Sequence, residues 1–485
     1  MPRSAREKIS AIDTAWLRMD RPANLMMICG VLIFRERVSL ARLRGVIAER
    51  FLVFERFRQR PVETAAMAFW EDDPRFDIKR HVLRTSLHGR AGKRELQALV
   101  SRLIATPLPP SRPLWEFLIV DNFDGGSAVV MRIHHSYADG IALLRVMLSM
   151  TDASAAGPAA MPFAPRQDKR APEDDGLSQW FEPLAGMIGS AQKLGAALFE
   201  KGADVWREPS QAVALVGQGA ALTAEIAKLL LMSEDSATRF KGKPQIAKRV
   251  AWADPLPLSE VKAVGRALNA SVNDVLLSCV AGALRGYLVA KGDVVADVML
   301  RALVPVNLRP MDDAYKLGNR FGLVFLDLPI GIENPIERLY TVRANMTALK
   351  DSYQPIVALG VLAAMGAGPR LLQEALLAAL ARNATAVMTN VPGPQTPLWL
   401  AGAKIETLMF WVPQSGDIGM GVSIISYNGA VQFGVVTDRS LCPDPERVIE
   451  RFGSEFEKLV LTTLMSPWPH EGDLDPEVAA AAVAA

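Results

Sequence analysis

Two adjacent histidines, His134 and His135, close an apolar run in the stretch RIHHSYADG (132–140), and Asp139 and Gly140 follow them. The chain has only 5 histidines, so a tandem pair beside a carboxylate asks for a reason. Residue type and spacing leave three readings open. A histidine near its ordinary pKa of about 6.5 is largely neutral at cellular pH and can accept a proton, which makes His135 a candidate general base. A metal site would need three or four ligands, and His81, His88 and His470 add no supporting spacing, so no metal is expected. The third reading is a pair of hydrogen-bonded core histidines at a strand end, beside a helix that Asp139 caps. There is no GxSxG elbow and no visible covalent nucleophile nearby. A lone base would therefore serve direct transfer, with a substrate hydroxyl as the attacking group.

The elements that must hold these residues follow from apolar periodicity. MMICGVLIF (26–34) reads as a buried strand, and 40–51 and 96–104 have helical spacing. Residues 116–120 and 128–133 are short apolar strands on either side of the turn-rich NFDGGS, and IALLRVMLSM (141–150) is a candidate buried helix. This mixture predicts a layered α/β domain over 1–150. From Thr151 to Gly176 the periodicity vanishes into Ala, Pro, Gly, Asp and Lys, as in a linker. Helical faces follow at Phe181–Leu198 and about Gln211–Met232, so 151–245 is expected to be a linker with a helical bridge. A second half is expected over 246–465. It comprises a helix from Asn273 or Asp274 to Leu288, strands at MLRALVPV and FGLVFLDLPI, and helices at about 335–350 and 369–382. A hairpin at Asn428-Gly429 and a last amphipathic helix at about 445–464 complete it. The tail, 466–485, is rich in Pro and Ala and is expected to be disordered.

Length and composition bound the rest. A chain of 485 residues favours two subdomains. With 54 Lys and Arg against 52 Asp and Glu, there is no cationic excess to attract nucleic acid. Cys29, Cys279 and Cys442 are odd in number and far apart, which suits a reducing compartment and no disulfide framework. MPRSAREKISAIDTAW lacks the apolar core of a signal peptide, and PIVALGVLAAMGAG (355–368) is too short and too broken by glycine to span a bilayer. A cytoplasmic protein, soluble or peripheral, is the expectation.

HHSYADG resembles the HHxxxDG pattern of the acyl-CoA-dependent acyltransferase superfamily, which includes bacterial wax ester synthase/diacylglycerol acyltransferases and peptide condensation domains. Further stretches, in order, resemble the first of these families: EDDPRFDIKRHV (71–82), Pro113-Leu114-Trp115, Asn273-Asp274, VPVNLRP (304–310), GNRFG (318–322) and TNVPGP (389–394). Pro22-Ala23-Asn24-Leu25-Met26 departs from the Pro-Met-His that many members carry there, which touches substrate preference.

The resemblance implies two chloramphenicol-acetyltransferase-like α/β subdomains with a substrate tunnel between them. It implies acyl transfer from acyl-CoA, as substrate and not cofactor, to a long-chain alcohol or diacylglycerol. His135 would be the base, and His134 would support loop geometry. Asp139 would be structural, through a salt bridge that fixes the loop, and Asp274 structural as well. Asn273 would orient His135 or stabilise the oxyanion, unless it only caps its helix. Pro113, Leu114 and Trp115 would shape a loop, and Gly140 would permit close approach of the chain. Lys241, Lys243, Lys248 and Arg249 form a basic cluster that could meet the phosphates of coenzyme A or could be a solvated linker. Lipid acceptors would bring the protein to the inner membrane or to lipid droplets, with contact through the helices up to Leu229–Met232 unless these only bridge the two subdomains. The rival readings are amide or ester formation on carrier-bound substrates and a non-enzymatic lipid-binding protein.

Overall fold

The computed structural model describes residues 6–64, 67–155, 232–307, 317–319, 321–350, 354–367, 373–374, 377–378 and 381–465. The strands are β1 (Glu7–Lys8), β2 (Met27–Phe34), β3 (Gln59–Glu63), β4 (Ala68–Asp72), β5 (Val82–Thr85), β6 (Trp115–Val120), β7 (Ser127–His134) and β8 (Lys248–Trp252). They continue as β9 (Leu256–Pro257), β10 (Met299–Asn307), β11 (Phe321–Pro329), β12 (Ala386–Pro392), β13 (Trp399–Leu400), β14 (Ala403–Trp411), β15 (Met420–Tyr427) and β16 (Ala430–Asp438). The helices are α1 (Ala11–Arg18), α2 (Leu40–Val46), α3 (Lys93–Ile104), α4 (Gly140–Ser149), α5 (Leu258–Ala267), α6 (Val272–Ala290), α7 (Pro335–Lys350), α8 (Gln354–Ala367) and α9 (Glu446–Met465).

Two large mixed sheets organise the chain. The first runs β13-β14-β2-β7-β6-β5, and the second runs β11-β10-β12-β15-β16-β8 with β9 beside β16. A small sheet, β1-β4-β3, flanks the first. Central strands β6 and β7 are buried along their whole length, which explains their near-continuous apolar sequence. The predicted hairpin is present: Asn428 (φ 49°) and Gly429 (φ 75°) form the two-residue left-handed turn that joins β15 to β16 in register.

The expected boundary at 246 is crossed. Residues 399–411, assigned by sequence order to the second half, form β13 and β14, and β14 pairs antiparallel with β2 with Trp411 opposite Cys29. The second half thus lends a ribbon to the first sheet and closes one side of the seam between them. Helix α1 closes another side, because it packs on α8 and its Ala15 carbonyl accepts from Gln373 Nε2 at 2.9 Å.

Among the described residues α6 is the one helix long and apolar enough to cross a membrane, and most of it is buried inside the second core. Helical faces expected at Phe181–Leu198 and Gln211–Met232, most of 369–382, and the tail from 466 lie outside the described residues, apart from Met232 itself.

Candidate active site

His135 sits where β7 ends, and four contacts fix it. Its backbone N–H donates to Met26 O at 2.7 Å, just before β2 begins. Its carbonyl accepts from Asn319 Nδ2 at 2.8 Å. Its ring stacks on Trp16 with centroids 4.1 Å apart at 20°, and Phe321 lies tilted at 5.7 Å. Asn319 is itself held by Asp13, whose Oδ1 accepts from the Asn319 backbone N–H at 3.1 Å and from Nδ2 at 2.7 Å. Gly318 (φ 102°) turns the preceding backbone so that its N–H donates to Tyr137 O at 3.2 Å, tying the two halves across the histidine loop.

The ring borders a cavity of about 910 Å³, partly open to solvent, whose wall includes Trp16, Asp139 and Gly140 from the first half and Phe321, Asn390 and Phe410 from beyond residue 300. A second cavity of about 680 Å³ lies against the first sheet and α4, among Leu32, Met131, Leu143 and Met147. Gly140 and Phe410 line both.

Burial pushes the His135 imidazole down to about 4, opposed by the nearby Asp139 carboxylate and by the Asn319 contact. It is therefore neutral near pH 7 and able to accept a proton. Its Nδ1 is sealed and finds no hydrogen-bond partner among the described residues, so Nε2 is the nitrogen left to meet a substrate. His134 has a different setting. Its Nδ1 accepts from Ser136 N–H at 3.2 Å and faces Ser136 Oγ at 2.9 Å, while its Nε2 is 3.9 Å from Asp20 Oδ2. Burial, with His135 as neighbour, pushes it down to about 3. Its backbone N–H donates to Leu114 O at 2.9 Å, which anchors the strand end.

The other residues singled out in the sequence divide sharply. Asp139 caps α4, with Oδ1 accepting from Ala142 N–H at 2.8 Å, and it is 3% exposed. Asp139→Asn is expected to lower stability by about 1–3 kcal/mol and to cost the folded fraction far less activity than His135→Ala does. A thermal melt alongside an activity assay checks this; an unchanged melting temperature with activity lost would give Asp139 a part in proton transfer.

Gly140 does not serve close backbone approach, contrary to expectation, because a Cβ there would meet nothing within 4 Å. Leu114 and Trp115 shape a loop: Leu114 N–H donates to Tyr137 Oη at 3.0 Å, and the Trp115 indole donates to Phe57 O at 2.8 Å. Pro113, buried next to them, accepts from Trp115 N–H at 2.9 Å.

Asn273 neither caps its helix nor reaches His135. The cap of α6 is Ser271, in a capping box with Asp274: Ser271 N–H donates to Asp274 Oδ2 at 2.9 Å and Asp274 N–H to Ser271 Oγ at 3.1 Å. Asn273 Oδ1 instead accepts from Asn390 Nδ2, so Asn273 fixes a side chain on the cavity wall.

The basic cluster is largely spent on internal partners. Lys241 pairs with Asp235, Lys248 with Asp438 at 2.9 Å, and Arg249 with Glu446, while Lys243 is exposed. Three of its four charges are thus committed within the chain, and the cluster does not form a free cationic rim for coenzyme A. Asp13, Trp16 and Asn319 were not singled out in the sequence, although GNRFG contains the last of them.

Two mixed sheets, the first extended by a ribbon from the second half, with a neutral buried histidine on a cavity between them, define the two-domain fold of chloramphenicol-acetyltransferase type. Residues 9–276 match the wax ester synthase/diacylglycerol acyltransferase catalytic domain, and residues 317–460 match the C-terminal domain of the same family. The chain belongs to this family and is an acyltransferase. It is 29% identical over 420 residues to a probable diacylglycerol O-acyltransferase, tgs2, of Mycobacterium tuberculosis, covering 83% of this chain and 86% of that one. A second M. tuberculosis protein, the probable diacylglycerol O-acyltransferase tgs1, is 27% identical over 411 residues, 84% of each chain. Among solved structures, the wax ester synthase/diacylglycerol acyltransferase of Marinobacter aquaeolei VT8 has a TM-score of 0.67 at 20% identity, covering 95% of this chain and 100% of that one. The first condensation domain of the calcium-dependent antibiotic synthetase shares the fold at a TM-score of 0.58 and 14% identity, covering 97% of this chain and 99% of that one.

Proposed function

We propose that the protein moves a fatty acyl group from acyl-CoA to the hydroxyl of a long-chain alcohol or diacylglycerol, yielding wax ester or triacylglycerol and free coenzyme A. The observation that carries this reading is the neutral His135 on a cavity that both halves line and that adjoins a second, strongly apolar one. An aliphatic alcohol is far too weak an acid to be ionised beforehand by an imidazole. The O–H proton therefore passes to His135 Nε2 as the oxygen attacks the thioester carbonyl carbon. The tetrahedral intermediate collapses with cleavage of the C–S bond, and the imidazolium returns the proton to the departing sulfur. The Asp139 carboxylate favours the imidazolium electrostatically. Asn273 holds Asn390 on the cavity wall.

Long-chain acceptors partition into lipid, so the protein meets them as a peripheral protein at the inner membrane or at lipid droplets. Labelled palmitoyl-CoA offered with hexadecanol, diacylglycerol and a pantetheine-bound amine in competition tests the reading. Ester products are expected, and amide alone would overturn it in favour of condensation chemistry.

Gly140 lines both cavities, so a side chain added there would enter the space beside them. Gly140→Leu is expected to leave a folded protein, because the space around Cβ is empty. It should lower turnover of C16 acyl donors about 10- to 100-fold relative to C4 donors, since each displaced methylene forfeits about 0.8 kcal/mol of burial. Equal losses on short and long donors would place the chain elsewhere.

A further inference from the structure

We propose that helix α1 is the positioning element of the catalytic histidine. Asp13 holds the His135 backbone through Asn319, and Trp16 holds the ring and shields the charge that forms on it. This rests on the reading of His135 as the base.

The need for such an element is visible in the site. The imidazole has a sealed Nδ1 with no hydrogen-bond partner among the described residues, so no side-chain hydrogen bond there sets the ring plane. The stack on Trp16, with Phe321 tilted behind, constrains the faces of the ring beside the Asn319 contact. A general base must present its nitrogen at a fixed angle to the attacking hydroxyl, and small misplacements are costly in rate.

Trp16 and Asp13 are three apart on α1 and so share one side of it. The helix is itself anchored. Ser10 caps it through the Asp13 N–H at 3.1 Å, and Gln373 Nε2 grips Ala15 O from the second half at 2.9 Å. Asp13 is 8% exposed and spends a single oxygen on both N–H groups of Asn319, whose Nδ2 also reaches the His135 carbonyl. Ring and backbone of the base are therefore both referred to one short helix wedged between the halves.

Proton transfer adds a second task. In the resting site burial disfavours a charged imidazole, yet the reaction must pass through one. An indole face at 4.1 Å offers its negative quadrupole to the imidazolium, an interaction equivalent to about 3- to 30-fold in rate. Trp16 gives and takes no proton. The proton comes from the alcohol and leaves on the thiol.

The test compares Trp16→Phe, which keeps an aromatic face, with Trp16→Leu, which has similar bulk and none. Both are assayed with palmitoyl-CoA and hexadecanol beside His135→Ala. Trp16→Phe should stay within about 3-fold of the wild-type kcat. Trp16→Leu should lose about 10-fold or more in kcat at unchanged KM for acyl-CoA. A space-filling role predicts equal losses, and that result, or a loss confined to KM, overturns the proposal.

Should either variant fail to fold, Asp13 carries the same test. Asp13→Ala should lose kcat about 10-fold at constant KM, and Asp13→Asn, which keeps an acceptor oxygen in place, should restore it. Equal kcat in these two variants overturns the proposal. If His135→Ala keeps wild-type turnover, the reading of the base fails instead. If it is inactive while Trp16→Leu matches Trp16→Phe, only the positioning role fails.

Discussion

His135→Ala is expected to yield a folded protein whose turnover is about 100- to 10,000-fold lower, the usual contribution of a placed general base. That corresponds to roughly 3–5 kcal/mol of transition-state stabilisation. The variant should fold because the backbone contacts of residue 135, to Met26 O and from Asn319 Nδ2, do not involve its ring. His134→Ala should behave in the opposite way. Its ring is bound to Ser136 and does not line the cavity, so stability or loop geometry should suffer more than chemistry. An inactive His134 variant beside a near-normal His135 variant would reverse the two roles.

Acid stability is the second large effect. In the unfolded chain both histidines titrate near 6.5, whereas the folded values are about 3 for His134 and about 4 for His135. Between pH 6.5 and about 4 the unfolded state therefore binds more protons, and stability falls as pH falls. A tenfold weakening of proton binding is worth about 1.4 kcal/mol, so the pair should cost several kcal/mol across that window. Buried Asp13 opposes this, because its raised carboxyl takes a proton more readily in the folded state. A His134→Gln, His135→Gln double variant isolates the histidine contribution. Its melting temperature should decline less steeply than that of the wild type from pH 7 to pH 4. Parallel declines would mean that the two rings are not held neutral by folding.

The part of the site legible in the sequence is the part that is local. His135, the Asp139 cap and α4 follow one another within RIHHSYADG and the apolar run behind it, so strand end, cap and helix could be read together. Asn319 could not be placed in that way, for it meets the His135 carbonyl across 184 residues, and Asp13 meets Asn319 across 306. Charge without its partners misled in the basic cluster: Lys248 finds Asp438 across 190 residues and Arg249 finds Glu446 across 197. The strand β14 reads as an ordinary member of its own half, and only its pairing with β2 reveals that it extends the first sheet. The start of α6 is a different kind of miss. Ser271 with Asp274 three residues on is a capping signal within reach of local reading, and it starts the helix before Asn273.

The most direct test is release of free coenzyme A thiol from palmitoyl-CoA by the 485-residue wild-type chain, measured with and without hexadecanol or diacylglycerol. Acyl transfer to a hydroxyl predicts thiol release that depends on the acceptor, saturates with it, and is matched mole for mole by ester. Thiol release at the same rate without any acceptor, or none across a broad panel of alcohols, would contradict it.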